Sequence, residues 1–241
     1  MAITAVFVRI YFLSRRKYIR TKDDFVIICG DFGFWDESGE QKYWRKWLSH
    51  KPFTTLWVDG NHENYDLLKT YPVEQWKGGN VQFIAPDIIH LMRGQIFEIE
   101  GLRFFTFGGA RSHDISGGIL ELDDLEFKRK KKELDHGWEP YRINHLSWWK
   151  EEMPDKNEFE EGLRSLDRCG WNVDIIVSHC CASSIQQEVC GDRCEKDELT
   201  EYFEMIMGRC EFGKWLFGHY HENRNVWKRF AVLYEQIVRV V

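Results

Sequence analysis

The sequence predicts a mixed α/β fold, and three observations carry that reading. Short apolar runs of strand length, Phe25–Cys29, Thr54–Val58, Val173–Val177 and Trp215–Phe217, each end close to a loop that bears Gly, Ser or His. Continuous runs of this kind are buried on both faces, as in sheets covered by helices. Segments with helical spacing lie between them, including Glu40–His50, where Tyr43, Trp44, Trp47 and Leu48 recur and Pro52 closes the pattern. From Val81 to Phe107 the pattern changes to short strands with little helix between them. The sheets are therefore mixed in direction rather than purely parallel.

Taken in order, Met1–Leu13 reads as a strand rich in β-branched and aromatic residues, followed by a basic segment, Arg15–Lys22. Its apolar part is broken by Arg9 and is shorter than the ~20 residues that span a bilayer. No charged region precedes it, as a secretory signal requires. After Thr54–Val58 a short helix is expected near Tyr65–Thr70. Strands follow at Val81–Ile84, Ile88–Met92, Gln95–Ile99 and Arg103–Phe107, with Arg93-Gly94 and Glu100-Gly101 at the turns of antiparallel hairpins. A polar, glycine-bearing loop (Ser112–Gly118) opens a charged and aromatic stretch reaching Cys169. Helices are expected there at Ile143–Met153 and Glu158–Cys169, the latter capped by Asn157 with Glu160 three residues on and ended by Gly170. This stretch, about 111–170, is the expected cap over the site. Helices at Ser183–Glu188 and Lys196–Met207 follow. Val226–Phe230 and Ala231–Val240 are expected to close the sheet as a hairpin. With 241 residues and no repeat, low-complexity tract or linker, one domain is expected.

Composition narrows the function. The hydrophobic share is 43% and the aromatic share 15%, so a full core is available. A net charge of −6 weighs against a protein that coats nucleic acid, because phosphate binding needs clustered Lys and Arg. The basic run Lys128–Lys132 is flanked by Asp123, Asp124, Glu126, Glu133 and Asp135 and reads as a solvated helical face. The seven cysteines are odd in number in a chain too long to need staples, which points to reduced thiols and the cytoplasm. Cys180, Cys181, Cys190 and Cys194 lack the paired C-x-x-C knuckles of a structural zinc site.

The chemistry gathers where apolar runs end. Gly30-Asp31, Gly60-Asn61-His62-Glu63, Ser178-His179 and Gly218-His219-Tyr220-His221 each follow a strand. Ligands collect at the carboxyl ends of strands in sheets built this way. Asp31 offers two oxygens and can bridge two cations, Asn61 a neutral amide oxygen, and His179, His219 and His221 imidazole nitrogens. Mixed nitrogen and oxygen donors without thiolate suit a hydrolytic metal site rather than a structural one. A pair of cations ~3.5–4 Å apart can clamp a phosphoryl group during in-line displacement.

In this order the motifs resemble those of the calcineurin-like metallophosphoesterases, in particular the small bacterial and phage-type members, over Gly30–His221. The resemblance implies a four-layer αββα sandwich of two mixed sheets, with a dinuclear centre at the strand ends. It implies divalent metal ions (Mn, Fe, Zn or Ni) as cofactors and a small phosphorylated substrate, a phosphomonoester or phosphodiester. By position, Asp31 resembles the bridging carboxylate. Asn61, His179 and His219 resemble the other ligands of one metal, and His221 a ligand of the second. His62 resembles the histidine that donates a hydrogen bond or proton to the phosphoryl or leaving-group oxygen. Arg111, His113 and Arg142, near the expected cap, are candidate substrate contacts.

The chain departs from the family pattern at its start. The family's first motif, Asp-x-His after the first strand, has no counterpart, because no His precedes His50 and Asp23 and Asp24 stand before the second strand. One metal pocket is thus complete and the other keeps only Asp31 and His221. A variant with one tight and one weak metal, a member that binds without turning over, and a chain with altered first residues all fit that pattern. The Gly-Asp-x-x-Asp-Arg-Gly motif of protein phosphatases is likewise not matched by Gly30–Asp36, which disfavours a protein substrate.

Overall fold

A computed structural model describes residues 9–11 and 21–240. The fold is built on two sheets that pack face to face. The first begins with β1 (Arg9–Tyr11), β2 (Phe25–Cys29) and β3 (Thr54–Val58) and adds β4 (Glu74–Trp76), β5 (Gly79–Ala85) and β6 (Ile88–Leu91). The second contains β7 (Gln95–Ile99), β8 (Leu102–Phe107), β11 (Asn172–Ser178), β12 (Glu211–Phe217), β13 (Arg224–Val226) and β14 (Phe230–Val232). The remaining strand, β15 (Ile237–Arg239), returns to the first sheet, whose order is β15-β1-β2-β3-β6-β5-β4. The second sheet runs β13-β14-β12-β11-β8-β7. Parallel pairs (β2 with β3, β3 with β6, β8 with β11, β11 with β12) stand beside antiparallel ones, so both sheets are mixed.

Strand alternation creates three apolar layers from these two sheets. Leu56 and Val58 of β3, Phe104 of β8, Val177 of β11 and Leu216 of β12 meet between the sheets. Trp57 turns to the outer face of the first sheet, where Leu48 of α1 (Gly39–Ser49) and Tyr65 and Leu68 of α2 (Tyr65–Leu68) cover it. Phe105, Phe107, Trp215 and Phe217 turn to the outer face of the second. There they meet Leu166 of α4 (Lys156–Arg168), Ile185 and Val189 of α5 (Ser183–Cys190), and Phe203 and Ile206 of α6 (Glu198–Arg209). Helix, sheet, sheet, helix is the expected layering. Each fully buried Phe or Trp contributes ~1.5–3 kcal/mol of transfer free energy.

Local chemistry sets the ends of the elements. Ser38 caps α1 by accepting from Gln41, and Asp155 caps α4 in a reciprocal capping box with Glu158. The box therefore lies two residues earlier than Asn157 and Glu160: Asp155, directly after Pro154, takes the extended cap conformation, and Lys156 and Asn157 are already helical. Between β8 and α4 lie the two-stranded sheet of β9 (Ile119–Leu120) and β10 (Arg142–Ile143), and α3 (Phe127–Gly137), none of whose residues is buried.

Several expectations are corrected. Ile143–Met153 is not a helix: Ser147 Oγ accepts from the Ile143 amide, His145 has a positive φ, and only a 3₁₀ turn at Lys150–Glu152 forms. This irregular path buries Trp149 and lets its indole donate to Asp66 at 2.7 Å. Arg93-Gly94 is not a hairpin turn but the crossing from one sheet to the other, since β6 and β7 belong to different sheets. Glu100-Gly101 does join the antiparallel pair β7 and β8. Ala231–Val240 divides, β14 pairing with β13 while β15 pairs with β1. Cys190 and Cys194 are paired as a disulfide, so the cysteines are not all free thiols. Of the expected first strand only Arg9–Tyr11 lies within the described residues; Met1–Val8, Phe12 and Leu13 lie outside them. β1 is antiparallel to β2, so the end of β1 points to the rim opposite Asp31. Among the described residues no helix is long and apolar enough to cross a membrane.

Candidate metal centre

The carboxyl ends of β2, β3, β11 and β12 deliver Asp31, Asn61, His179 and His219 to one rim, because these four strands run parallel in their sheets. Two glycines permit the close approach. Gly30 has φ +90°, and a Cβ on it would lie 2.0 Å from His179 Nδ1. A Cβ on Gly60 would lie 2.2 Å from Asp31 Oδ1 and 2.9 Å from His179 Nε2. Asp31, His219 and His221 all have positive φ, a conformation that L side chains hold only when their surroundings enforce it.

Three donors converge. His179 Nε2 lies 3.2 Å from Asp31 Oδ1 and 3.2 Å from Asn61 Oδ1, while its Nδ1 faces the Cys29 carbonyl at 2.7 Å. Each polar partner of that ring is an oxygen, and the Asn61 amide nitrogen is turned away, donating to Ser112 Oγ at 3.1 Å. Burial opposes charge on Asp31, yet His179 above all, with His62 and His219, holds its carboxyl below the usual carboxylate range. Burial would lower the His179 pKa, but Asp31 and the Cys29 carbonyl outweigh it and hold it above the usual value. The pocket thus demands a positive charge between His179 and the two oxygens, supplied by a proton or by a cation. Hard oxygens with imidazole nitrogen are the donor set that first-row divalent cations take, so the residues fit the metal that the motifs imply.

The other site residues are placed as follows. His219, which burial and His179 push well below the usual histidine range, has its ring 5.0 Å from that of His179 and its Nε2 2.8 Å from His113 Nε2. Among the described residues no three His, Cys, Asp or Glu side chains form a metal-holding group, so His219 does not join Asp31 and His179 at one point; the third donor there is Asn61. His221 is exposed and packs on Tyr234 at 4.9 Å; among the described residues no hydrogen bond or ring contact brings it to Asp31. The His62 backbone amide donates to Asp31 Oδ1 at 3.2 Å, and its ring meets the edge of Trp35. Burial lowers the His62 pKa, Arg142 adds to that, and Asp31 and Asp114 oppose it, so Arg142 and Asp114 lie within electrostatic reach of His62. Arg142 and Asp114 form an ion pair, with Nε donating to Oδ1 at 3.0 Å. Arg111 is exposed beside His113.

Glu63, last of the Gly60-Asn61-His62-Glu63 motif, is by its chemistry able to bind a metal or move a proton. Instead it accepts from the amides of Phe32 at 2.7 Å and Phe34 at 2.9 Å, clamping the loop that carries Asp31. Asp59, Arg93, Ser112 and Glu152 also shape this rim and belong to none of the motifs. Asp59 stood in plain view between Val58 and Gly60. Its carboxylate is buried and accepts from His90, from Tyr65 Oη at 2.9 Å and from Arg93 Nε at 2.8 Å. Ser112 and Glu152 lie forty residues apart in sequence, with no pattern to link them.

Two mixed sheets with acid, amide and imidazole donors at the carboxyl ends of four strands define a metallohydrolase scaffold. The model of the calcineurin-like phosphoesterases matches residues 4–223, and the chain belongs to that family. Its members are metal-dependent phosphoesterases that use divalent ions. Among curated proteins the chain is similar to lariat debranching enzyme A of Xenopus laevis, 23% identical over 65% of this chain and 34% of that one. It is also similar to the lariat debranching enzyme of Danio rerio, 25% identical over 44% of this chain and 21% of that one. The chain therefore spans about a third or less of these relatives. No solved structure matches it.

Proposed function

We propose that the chain hydrolyses a phosphodiester with a divalent cation held by Asp31, Asn61, His179 and His219. The observation that carries this is His179 Nε2, set 3.2 Å from two oxygens that cannot donate to it. When bound, divalent cations lower the pKa of water and polarise phosphoryl oxygens. The chain's own groups then orient the ester. His62, fixed through its backbone to Asp31 and braced by Trp35, offers its ring to the phosphoryl or leaving-group oxygen. Arg142 is the cation nearest to it in electrostatic influence, and Asp114 already neutralises it. With Arg142 paired, Arg111 is the one proposed contact that brings an unpaired positive charge, which suits a singly charged diester better than a doubly charged monoester. Arg111 and His113 are the remaining proposed substrate contacts, and the 111–170 stretch the proposed cap.

The relatives' names make a branched lariat one substrate to include in the assay, although the net charge of −6 favours a small ester over nucleic acid. Five of the seven cysteines are unpaired, which supports a cytoplasmic setting against the single Cys190–Cys194 disulfide. A second reading, a module that binds metal or phosphate without turnover, is favoured by His221, whose packing on Tyr234 leaves the second pocket with Asp31 alone.

The test is hydrolysis of bis(p-nitrophenyl) phosphate with added Mn²⁺, alongside Mn²⁺ binding. The enzyme reading predicts turnover that His62→Ala lowers by ~10²–10⁴-fold with metal binding kept, and that Asn61→Ala removes together with the metal. Metal binding without turnover supports the binding module. A chain that binds no metal contradicts both readings.

A further inference from the structure

Asn61 can serve a cation only with its oxygen, and an amide side chain turns either way. What sets its direction lies on a different segment. Ser112, in the loop after β8, receives the Asn61 amide nitrogen on its Oγ at 3.1 Å. The same hydroxyl donates to Glu152 Oε2 at 2.6 Å, and the Ser112 backbone amide donates to Glu152 Oε1 at 2.9 Å. All three side chains are buried: Asn61 is 5% exposed, Ser112 4% and Glu152 2%. The 3₁₀ turn that carries Glu152 is itself held by Arg93, whose Nη2 donates to the Glu151 carbonyl at 2.8 Å.

The chain of donors has one direction. Burial raises the Glu152 pKa, but the Ser112 hydroxyl and backbone amide both work against that rise by donating to its two oxygens. As a carboxylate it only accepts, so the Ser112 proton points at Glu152. The hydroxyl then presents only lone pairs to Asn61, and the amide must turn its NH₂ toward Ser112 and its oxygen toward His179 and Asp31. We infer that Ser112 and Glu152 are positioning residues of the metal centre, which fix the Asn61 carboxamide oxygen-first toward the cation. This rests on the metal reading of Asp31, Asn61 and His179. It also gives the segment between β8 and α4 a task at the site besides covering it.

Glu152→Gln tests the direction with little change of shape. The oxygen of the new carboxamide is needed by the Ser112 backbone amide, so its NH₂ faces the hydroxyl. The Ser112 proton is then left with Asn61 as its nearby acceptor, which favours the flipped amide. Mn²⁺ affinity of the full chain, measured by calorimetry, is expected to fall ~10–100-fold, the range seen when groups behind metal ligands are removed. In an Asn61→Asp background the side chain has no wrong way round. There the donor chain can run from the introduced carboxamide through Ser112 to the introduced carboxylate, and Glu152→Gln is expected to cost no affinity. Ser112→Ala, placed in both backgrounds, makes the same comparison should Glu152→Gln fail to fold, with a loss of about tenfold expected only beside Asn61.

Equal losses in the two backgrounds would assign Glu152 a merely structural part and overturn the inference. So would no loss beside Asn61, while the metal reading stood. A wild-type chain that binds no Mn²⁺ would remove the metal reading itself and this inference with it.

Discussion

Asp31 and Asp59 stand at neighbouring strand ends, one after β2 and one after β3, and both hold their charge against burial. They differ in what faces them. Asp59 meets the guanidinium of Arg93, with His90 and Tyr65 filling its remaining directions, and Arg93 also reaches Glu158 at 2.9 Å. That network carries its own permanent cation. Among the described residues Asp31 meets imidazoles and the backbone amide of His62, and one of those imidazoles has only oxygens as polar partners. A buried carboxylate with a fixed guanidinium is scaffold, whereas one with none leaves room for a cation that comes and goes.

The comparison breaks most visibly at Arg93. Arg93→Met leaves the Asp59 carboxylate buried without its cation and is expected to lower stability by ~3–5 kcal/mol, read from urea unfolding, with or without metal. The deficit should narrow in acid. Burial would raise the Asp59 pKa, but Arg93 and His90 outweigh it and hold it below the usual range. Its contribution is thus complete above the pKa of an unfolded Asp and is lost as pH falls through the folded value.

Asp31 should behave in the opposite way, through ligand rather than residue. Mn²⁺ at one hundred times its dissociation constant is expected to stabilise the wild type by ~2.7 kcal/mol. Asp31→Asn should show no such gain, and EDTA should erase it in the wild type. Metal-dependent stabilisation that survived Asp31→Asn would break the distinction between the two carboxylates.

Glu63 sharpens it, as a further carboxylate at the same rim that is fully buried. Burial and nearby Asp31 push its pKa well up, and the amides of Phe34 and Phe32 work against them. Glu63→Gln turns an NH₂ toward one of those amides, and a loss of ~1–3 kcal/mol is expected in thermal unfolding. Metal affinity should fall less than in Asp31→Asn, because Glu63 holds the loop and not the ion.

The parts of this architecture visible in the sequence were those that local pattern specifies. Phe25–Cys29 and Thr54–Val58 read as doubly buried strands because no polar residue alternates within their cores, and both are buried throughout. Asp31, Asn61 and His179 were visible because each sits where such a run stops. What stayed hidden depends on distant partners. The Ile143–Met153 spacing looked helical, yet burying Trp149 against Asp66 takes precedence over propensity. Arg93-Gly94 looked like a turn, and only the packing of two sheets makes it a crossing around a buried ion pair. Gly-His-x-His named two histidines, while backbone angles of φ +65° at His219 and +51° at His221 decide that one ring faces His113 and the other Tyr234. Ser112 meets Asn61, and Glu152 meets Ser112, only once the chain has folded.

The most direct test of the shared cation is a calorimetric Mn²⁺ titration of the wild type beside Asp31→Asn and Asn61→Ala. One tight equivalent in the wild type, weakened by each substitution more than the ~10–100-fold that loss of a group behind a ligand costs, is the expected result. Tight binding left unchanged by both would contradict it, because the ion would then be held somewhere other than between Asp31, Asn61 and His179.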